Sequence, residues 1–277
     1  MFDLITVCIC EGAHDVAFLN RLLTSKGFSD YAKTRKIKDF FSPFNNKFIE
    51  SMSRTGIPEK KIGFQDGLFE IPSCALHLDN NLVFLHSMGG DASIDNRREL
   101  IRSYLDIKGD DDFSDFNFNY RFILFFDADE DGIDARENQV SELLGIKDCK
   151  VGHVFEKDGS TYGLYVFHKP HHQTGTLEDL IFDIVQEQAA VQLTSAEAFL
   201  AQNELPEARQ RRYSVSNGAG KYSGAVKYKK YKSKLAIIGQ LQFSGMSNSA
   251  IINSTDYICL ENIHGHECCT EIHSLFT

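Results

Sequence analysis

No apolar run in this chain approaches the roughly 18–20 residues a helix needs to cross a membrane, so no membrane span is expected. The N-terminal apolar stretch is short, lacks a basic flank and leads straight into Glu11, which does not read as a signal peptide. Cysteine is present as seven residues, an odd number without a framework spacing, so a disulfide scaffold is excluded and reduced thiols in a cytoplasm are expected. Positive charge is scarce. Against 39 acidic residues stand 29 basic ones, a net charge of −10, which excludes a protein that coats nucleic acid by bulk electrostatics. No Gly-x-x-x-x-Gly-Lys-Ser/Thr occurs, which excludes a P-loop ATPase. No internal repeat is evident. Tryptophan is absent while phenylalanine occurs 22 times, a bias without a functional reading.

With 277 residues, 42% of them hydrophobic, the chain can form one large domain or two smaller ones with ample core. Its most telling feature is acidic. Leu4-Ile5-Thr6-Val7-Cys8-Ile9-Cys10 runs directly into Glu11-Gly12-Ala13-His14-Asp15. Far downstream, Phe122-Ile123-Leu124-Phe125-Phe126 runs into Asp127-Ala128-Asp129-Glu130-Asp131-Gly132. Strands without polar alternation are buried on both faces, as in a parallel sheet. Ligands of such sheets sit at the carboxyl ends of the strands. Two adjacent parallel strands therefore bring Glu11, Asp127 and Asp129 together. Carboxylates that close repel one another unless a divalent cation neutralises them. Mg²⁺ or Mn²⁺, and with it phosphoryl chemistry, is the expectation.

The pattern resembles the Toprim family, the catalytic module of topoisomerases, primases and several nucleases. Its signature, a strand ending in Glu-Gly-x-x-Asp and a later strand ending in Asp-x-Asp, is met by Glu11, Gly12 and Asp15, then Asp127 and Asp129. Leu82 to His86 reads as a second strand, followed by Gly89-Gly90 and a helix from about Asn96 to Leu105. The resemblance covers roughly residues 1–185. It implies an α/β, Rossmann-like parallel sheet flanked by helices. Residues 1–187 would be the catalytic domain with an insertion at about 30–80, and 188–277 a mainly helical, basic C-terminal region. It also implies that Asp127 and Asp129 hold the metal while Glu11 is a further ligand or the general acid–base. Similarity to Toprim nucleases of the overcoming-lysogenisation type gives Asp15 a place in a second metal site, and Glu178 and, more weakly, Asp131 as further acidic ligands. For Asp15 and Glu178, capping of a helix is the alternative. Stand-alone Toprim proteins of this kind act as toxic effectors in anti-phage defence, a role reached by analogy alone.

Elsewhere the pattern is coarser. A helix is expected from Val16 to Lys26, another from Asp134 to Leu144, a strand from Val151 to Phe155, and a hairpin turning at Asp158-Gly159 into Tyr162–Phe167. Thr176 can cap a helix that carries Glu178 and Asp179 in its first turn. Residues 30–80 read as a surface excursion, Asp110, Asp111 and Asp112 as a solvated loop, and Ser214–Gly220 as a flexible stretch.

Between Arg209 and Lys234 the chain has no acid at all. Arg211, Arg212, Lys221, Lys227, Lys229, Lys230 and Lys232 alternate there with Tyr213, Tyr222, Tyr228 and Tyr231. Such a segment can track a phosphate backbone and stack bases, and one lysine can neutralise charge in a transition state. A solvated face balancing an acidic body is the alternative. His264, His266, Cys268 and Cys269 are zinc-type ligands in a spacing that matches no standard site, so ordinary residues are the better reading. His168, His171 and His172 lie just before the Thr176 helix and can approach the acids. The chain is too short for a topoisomerase or primase, which leaves a Mg²⁺/Mn²⁺-dependent endonuclease acting on DNA or RNA. The alternative is a non-catalytic or partner-controlled subunit. A separate ATPase and a second copy of the chain are the further candidate partners.

Overall fold

The computed structural model describes residues 2–54, 70–88, 94–108, 118–226 and 228–277. In chain order its elements begin with β1 (Leu4–Cys10), α1 (Ala13–Ser25), β2 (Ser29–Asp30), α2 (Phe44–Arg54), β3 (Cys74–Leu78), β4 (Asn81–Ser87) and α3 (Ile94–Lys108). β5 (Asn119–Asp127), α4 (Ile133–Leu144), β6 (Val154–Lys157), β7 (Ser160–Phe167) and α5 (Leu177–Gln202) follow. The chain continues through β8 (Arg211–Ser216), β9 (Ala219–Val226), α6 (Lys230–Gln242), α7 (Asn248–Ser254), α8 (Leu260–Gly265) and α9 (Glu267–Ser274).

Among the described residues the central sheet has seven strands in the order β2-β3-β4-β1-β5-β7-β6. β4, β1, β5 and β7 are mutually parallel, and antiparallel strands close both edges. The parallel strands are the continuously apolar ones, because helices cover both of their faces. Cys8, Cys10, Ile123, Phe125 and Phe167 face α1, α5 and the helices after them. Ile5, Val7, Ile9, Phe84 and Phe122 face α2 and α3, while Leu124, Phe126 and Val166 face α4. Each fully buried side chain of this size contributes about 1.5–3 kcal/mol of transfer free energy. Much of the phenylalanine excess is used here. Phe44, Phe48, Phe84, Tyr104 and Tyr120 form one aromatic cluster with neighbouring ring centroids 5.1–6.5 Å apart.

Three expectations need correction. The 30–80 stretch is not simply a surface excursion: β3 pairs with β4, and Phe44 and Phe48 of α2 are 0% and 1% exposed. The strand expected at 151–155 begins at Val154, since the backbone turns at Gly152, whose φ is +75°. The Ser214–Gly220 stretch is a β-hairpin, turning at Asn217 and Gly218 with φ of 52° and 74°. Asn-Gly is the preferred pair for that turn. Helix α5 runs across the 187/188 division with a kink at Ala189, and the helices beyond it enter the same core cluster as α1. Gly89-Gly90, the loop at Asp110–Asp112 and Lys227 lie outside the described residues.

Candidate active site

β1 ends at Cys10, β5 at Asp127, and the two strands are neighbours with Ile9 opposite Leu124. Glu11 and Asp127 therefore leave the same edge of the sheet one register step apart. Two helices start at that edge. α1 begins after Gly12, whose amide donates to the Asp15 carboxylate at 2.9 Å. α5 begins after Thr176, and the Leu177 amide donates to Asp127 Oδ1 at 2.8 Å. Helix N-termini present free amides and the positive end of a dipole, so both helix starts favour negative charge.

The carboxylates are nonetheless short of positive charge. Burial raises the Asp127 pKa from an ordinary 3.8 to about 8, with Asp15, Glu11 and Glu178 adding repulsion and the Leu177 amide opposing it. Glu11 is pushed up to about 6, chiefly by burial; Arg97 draws it down and Asp15 pushes it up. Asp15, only 6% exposed, also reaches about 6 through burial, against the pull of the Gly12 amide. Glu178 goes the other way. Burial raises it, but the His14 hydrogen bond at 3.0 Å and Lys232 at 3.7 Å prevail, so its pKa falls below the ordinary value.

Asp129 and Asp131 sit in the turn after β5. Asp129 takes a left-handed backbone, with φ of 48°, and exchanges backbone hydrogen bonds with Gly175 at 2.8 and 3.0 Å. Gly175 has φ of +125°, and a Cβ there would come within 2.5 Å of the Lys169 amide nitrogen, so only glycine lets the loop between β7 and α5 close on itself so tightly. The Arg136 guanidinium clamps the turn. Nε donates to the Asp127 carbonyl at 2.9 Å, while Nη2 lies 3.1 Å from Asp129 and 3.8 Å from Asp131. Asp131 points outward, its side chain 69% exposed.

Sequence reading had no signal for four of these groups. Arg97 is 3% exposed, lies 4.0 Å over the Phe126 ring and reaches Glu11 at 3.8 Å. Arg136, His14 and Gly175 each acquire their partners only through the fold.

Of the basic residues, Lys232 is brought to the acids through Glu178, and Lys230 pairs with Glu197 at 3.7 Å. Arg211 is held by Glu207 and the Gly224 carbonyl. Arg212, Lys221 and Lys229 are exposed. His168 bonds the Lys169 carbonyl and so turns to its own loop rather than to the acids. His264 bonds the Ser25 carbonyl, His266 bonds Asp183, and Cys269 is buried in the core, each serving a different neighbour.

The donors are hard carboxylate oxygens, the kind Mg²⁺ and Mn²⁺ take, and their raised proton affinity marks a place where a cation would relieve repulsion. Among the described residues, no three His, Cys, Asp or Glu side chains are already gathered as a ligand set. The donor chemistry thus suits a divalent cation, while the side chains stand apart from a closed coordination sphere. Comparison of the chain with protein-family models, curated proteins and solved structures gives no match.

Proposed function

We propose that this chain is a divalent-cation-dependent nuclease of the Toprim type, hydrolysing phosphodiester bonds at the Glu11/Asp127 edge of the sheet. The observation that carries the reading is the pairing of two half-buried acids on adjacent parallel strand ends, Glu11 and Asp127, with pKa values pushed to about 6 and about 8. Asp127 and Asp129 are the residues assigned to hold Mg²⁺ or Mn²⁺, with Glu11 as a further ligand or the general acid–base and Asp15 and Glu178 as a second set. Bound there, the cation would polarise the phosphate and lower the pKa of an attacking water.

The chain's own residues supply the rest. Glu11 titrates close to neutrality, where a carboxylate can take a proton from water and return one to a leaving oxygen. Arg97 orients that carboxylate from beneath, and the Leu177 amide fixes Asp127. Lys232, half-exposed beside Glu178, places a positive charge where a backbone phosphate would lie. The test is cleavage of plasmid, single-stranded DNA and total tRNA with Mg²⁺ or Mn²⁺, wild type beside Asp127→Ala/Asp129→Ala. Loss of cleavage in the double variant is expected; equal cleavage by both proteins overturns the assignment.

A second reading is a non-catalytic or partner-controlled subunit. Its support is that these acids already have partners within the fold, Asp129 and Asp131 at Arg136 and the buried Glu178 at His14 and Lys232. No cleavage with any divalent metal, together with stable co-purification of a partner, is the outcome that selects it.

A further inference from the structure

The β8–β9 hairpin stands apart from the main sheet as a two-stranded unit of its own. Such a unit is marginal in water without something packed on one face. Its two faces differ chemically. Pairing puts Tyr213 opposite Tyr222 and Val215 opposite Gly220, and strand alternation puts these four on one face. The other face carries Arg212, Ser214, Lys221 and Ser223. The aromatic face is open: Tyr213 is 57% exposed, Val215 69% and Tyr222 44%.

The two rings are held in place. Their centroids lie 5.0 Å apart with a 54° interplanar angle. Tyr213 lies across Gly220 so closely that a Cβ built there would run into its phenol ring. With this diagonal glycine under one face of the Tyr213 ring, the outer face of that ring is left free. At the base, Arg211 is tied to Glu207 and to the Gly224 carbonyl, which fixes the hairpin's root. Beyond β9 the chain enters α6, whose Lys232 lies 3.7 Å from Glu178 at the acidic edge. The segment Arg209–Lys234, free of acids in a chain of net charge −10, thus joins the hairpin to that edge.

We propose that the hairpin is a stacking platform for unpaired nucleic-acid bases. Tyr213 and Tyr222 take base faces, Arg212 and Lys221 take the flanking phosphates, and the strand continues along α6 toward Glu178. Single strands are specified because an exposed ring can stack only on a base that is not already stacked inside a duplex. An acidic polyelectrolyte fits the charge of the segment, whereas an apolar protein surface fits the Tyr face but leaves the opposite basic face without a partner. The proposal deepens the nuclease reading and rests on it for the fate of the bound strand.

Binding is measured apart from cleavage, in excess chelator, by fluorescence anisotropy. The probes are a short labelled mixed-sequence DNA strand, its RNA counterpart and the corresponding duplex. The expected result is tighter binding of single strands than of duplex by roughly tenfold or more, and a roughly 10- to 100-fold loss in Tyr213→Ser/Tyr222→Ser. Tyr213→Phe/Tyr222→Phe keeps both rings and is expected to bind like wild type, which separates stacking from unfolding of the hairpin. Arg212→Gln/Lys221→Gln is expected to flatten the salt dependence and keep the preference for single strands. Equal affinity for single strand and duplex, unchanged by Tyr→Ser, overturns the platform. So does cleavage without any binding defect in the Tyr→Ser variant, which leaves the nuclease reading standing. Selective binding with no cleavage under any metal supports the platform and refutes the nuclease reading. Of the two single-stranded probes, the tighter names the physiological strand.

Discussion

Replacing Asp127 by Asn removes the charge and keeps the oxygen that accepts from the Leu177 amide. In the folded chain the Asp127 proton is held up to about pH 8; in the unfolded chain it leaves near 3.8. The folded state therefore binds more protons across that window, so stability without metal is greatest below about pH 4 and falls as pH climbs to about 8. Between about pH 5 and pH 8 the difference spans some three decades of proton affinity, on the order of 4 kcal/mol before relaxation and water entry reduce it. The Asn variant lacks this loss. Relative to wild type it is expected to gain about 2–4 kcal/mol at pH 8–9 in chelator, and little near pH 5. For a chain of this size that is a rise of roughly 5–12 °C in melting temperature. Thermal unfolding of both proteins at the two pH values, with and without Mn²⁺, is the assay. Mn²⁺ at high pH is expected to recover the wild type and leave the variant nearly unmoved. Parallel pH profiles for the two proteins would show that Asp127 is neither desolvated nor crowded by Asp15, Glu11 and Glu178.

Arg136→Gln removes the guanidinium that shares Asp129 and Asp131, and is expected to tighten Mn²⁺ binding about 2- to 5-fold by calorimetry, the worth of a half-exposed ion pair. Weaker binding would mean that Arg136 acts by holding the turn. His14→Ala takes the hydrogen bond from a Glu178 that is 3% exposed; a loss of about 1–3 kcal/mol is expected in urea unfolding at neutral pH. Gly239→Ala drives a methyl into Ile251, where α6 meets α7, and is expected to cost about 1–3 kcal/mol; no change would mean the two helices can separate at little cost.

The parallel centre of the sheet was legible because β1, β4, β5 and β7 are apolar without alternation, and the acids that end β1 and β5 marked the strand termini directly. The Asp158-Gly159 hairpin was equally plain, since both residues adopt positive φ in the expected turn. Edge elements were not legible. β3, Cys-Ala-Leu-His-Leu, is half-buried and short, and its pairing depends on β4. α2 looks polar in sequence because only Phe44 and Phe48 reach the core. The Asn217-Gly218 signal was present, but the flanking Ser, Ala and Gly residues look like a linker, and only the opposed tyrosines identify strands. Among the site residues, sequence reading supplied the acids. It did not supply their partners, because Arg97, Arg136 and His14 meet carboxylates only when separate elements pack.

Arg21 of α1 donates to the carbonyls of Asn253, Thr255 and Ile258, and the face of α1 turned away from the sheet is closed by Ile251, Ile263 and Ile272. In synthesis order, the helix that carries Asp15 is made more than two hundred residues before its cover, which begins with α7 at Asn248. On the ribosome, α1 has its sheet-facing side satisfied long before its outer side, and Lys232 reaches Glu178 only after more than fifty further residues. The acidic edge is thus completed only once α6 has been made. Chains stalled before Asn253 should accordingly remain open to protease within α1, with protection appearing once α7, α8 and α9 have emerged.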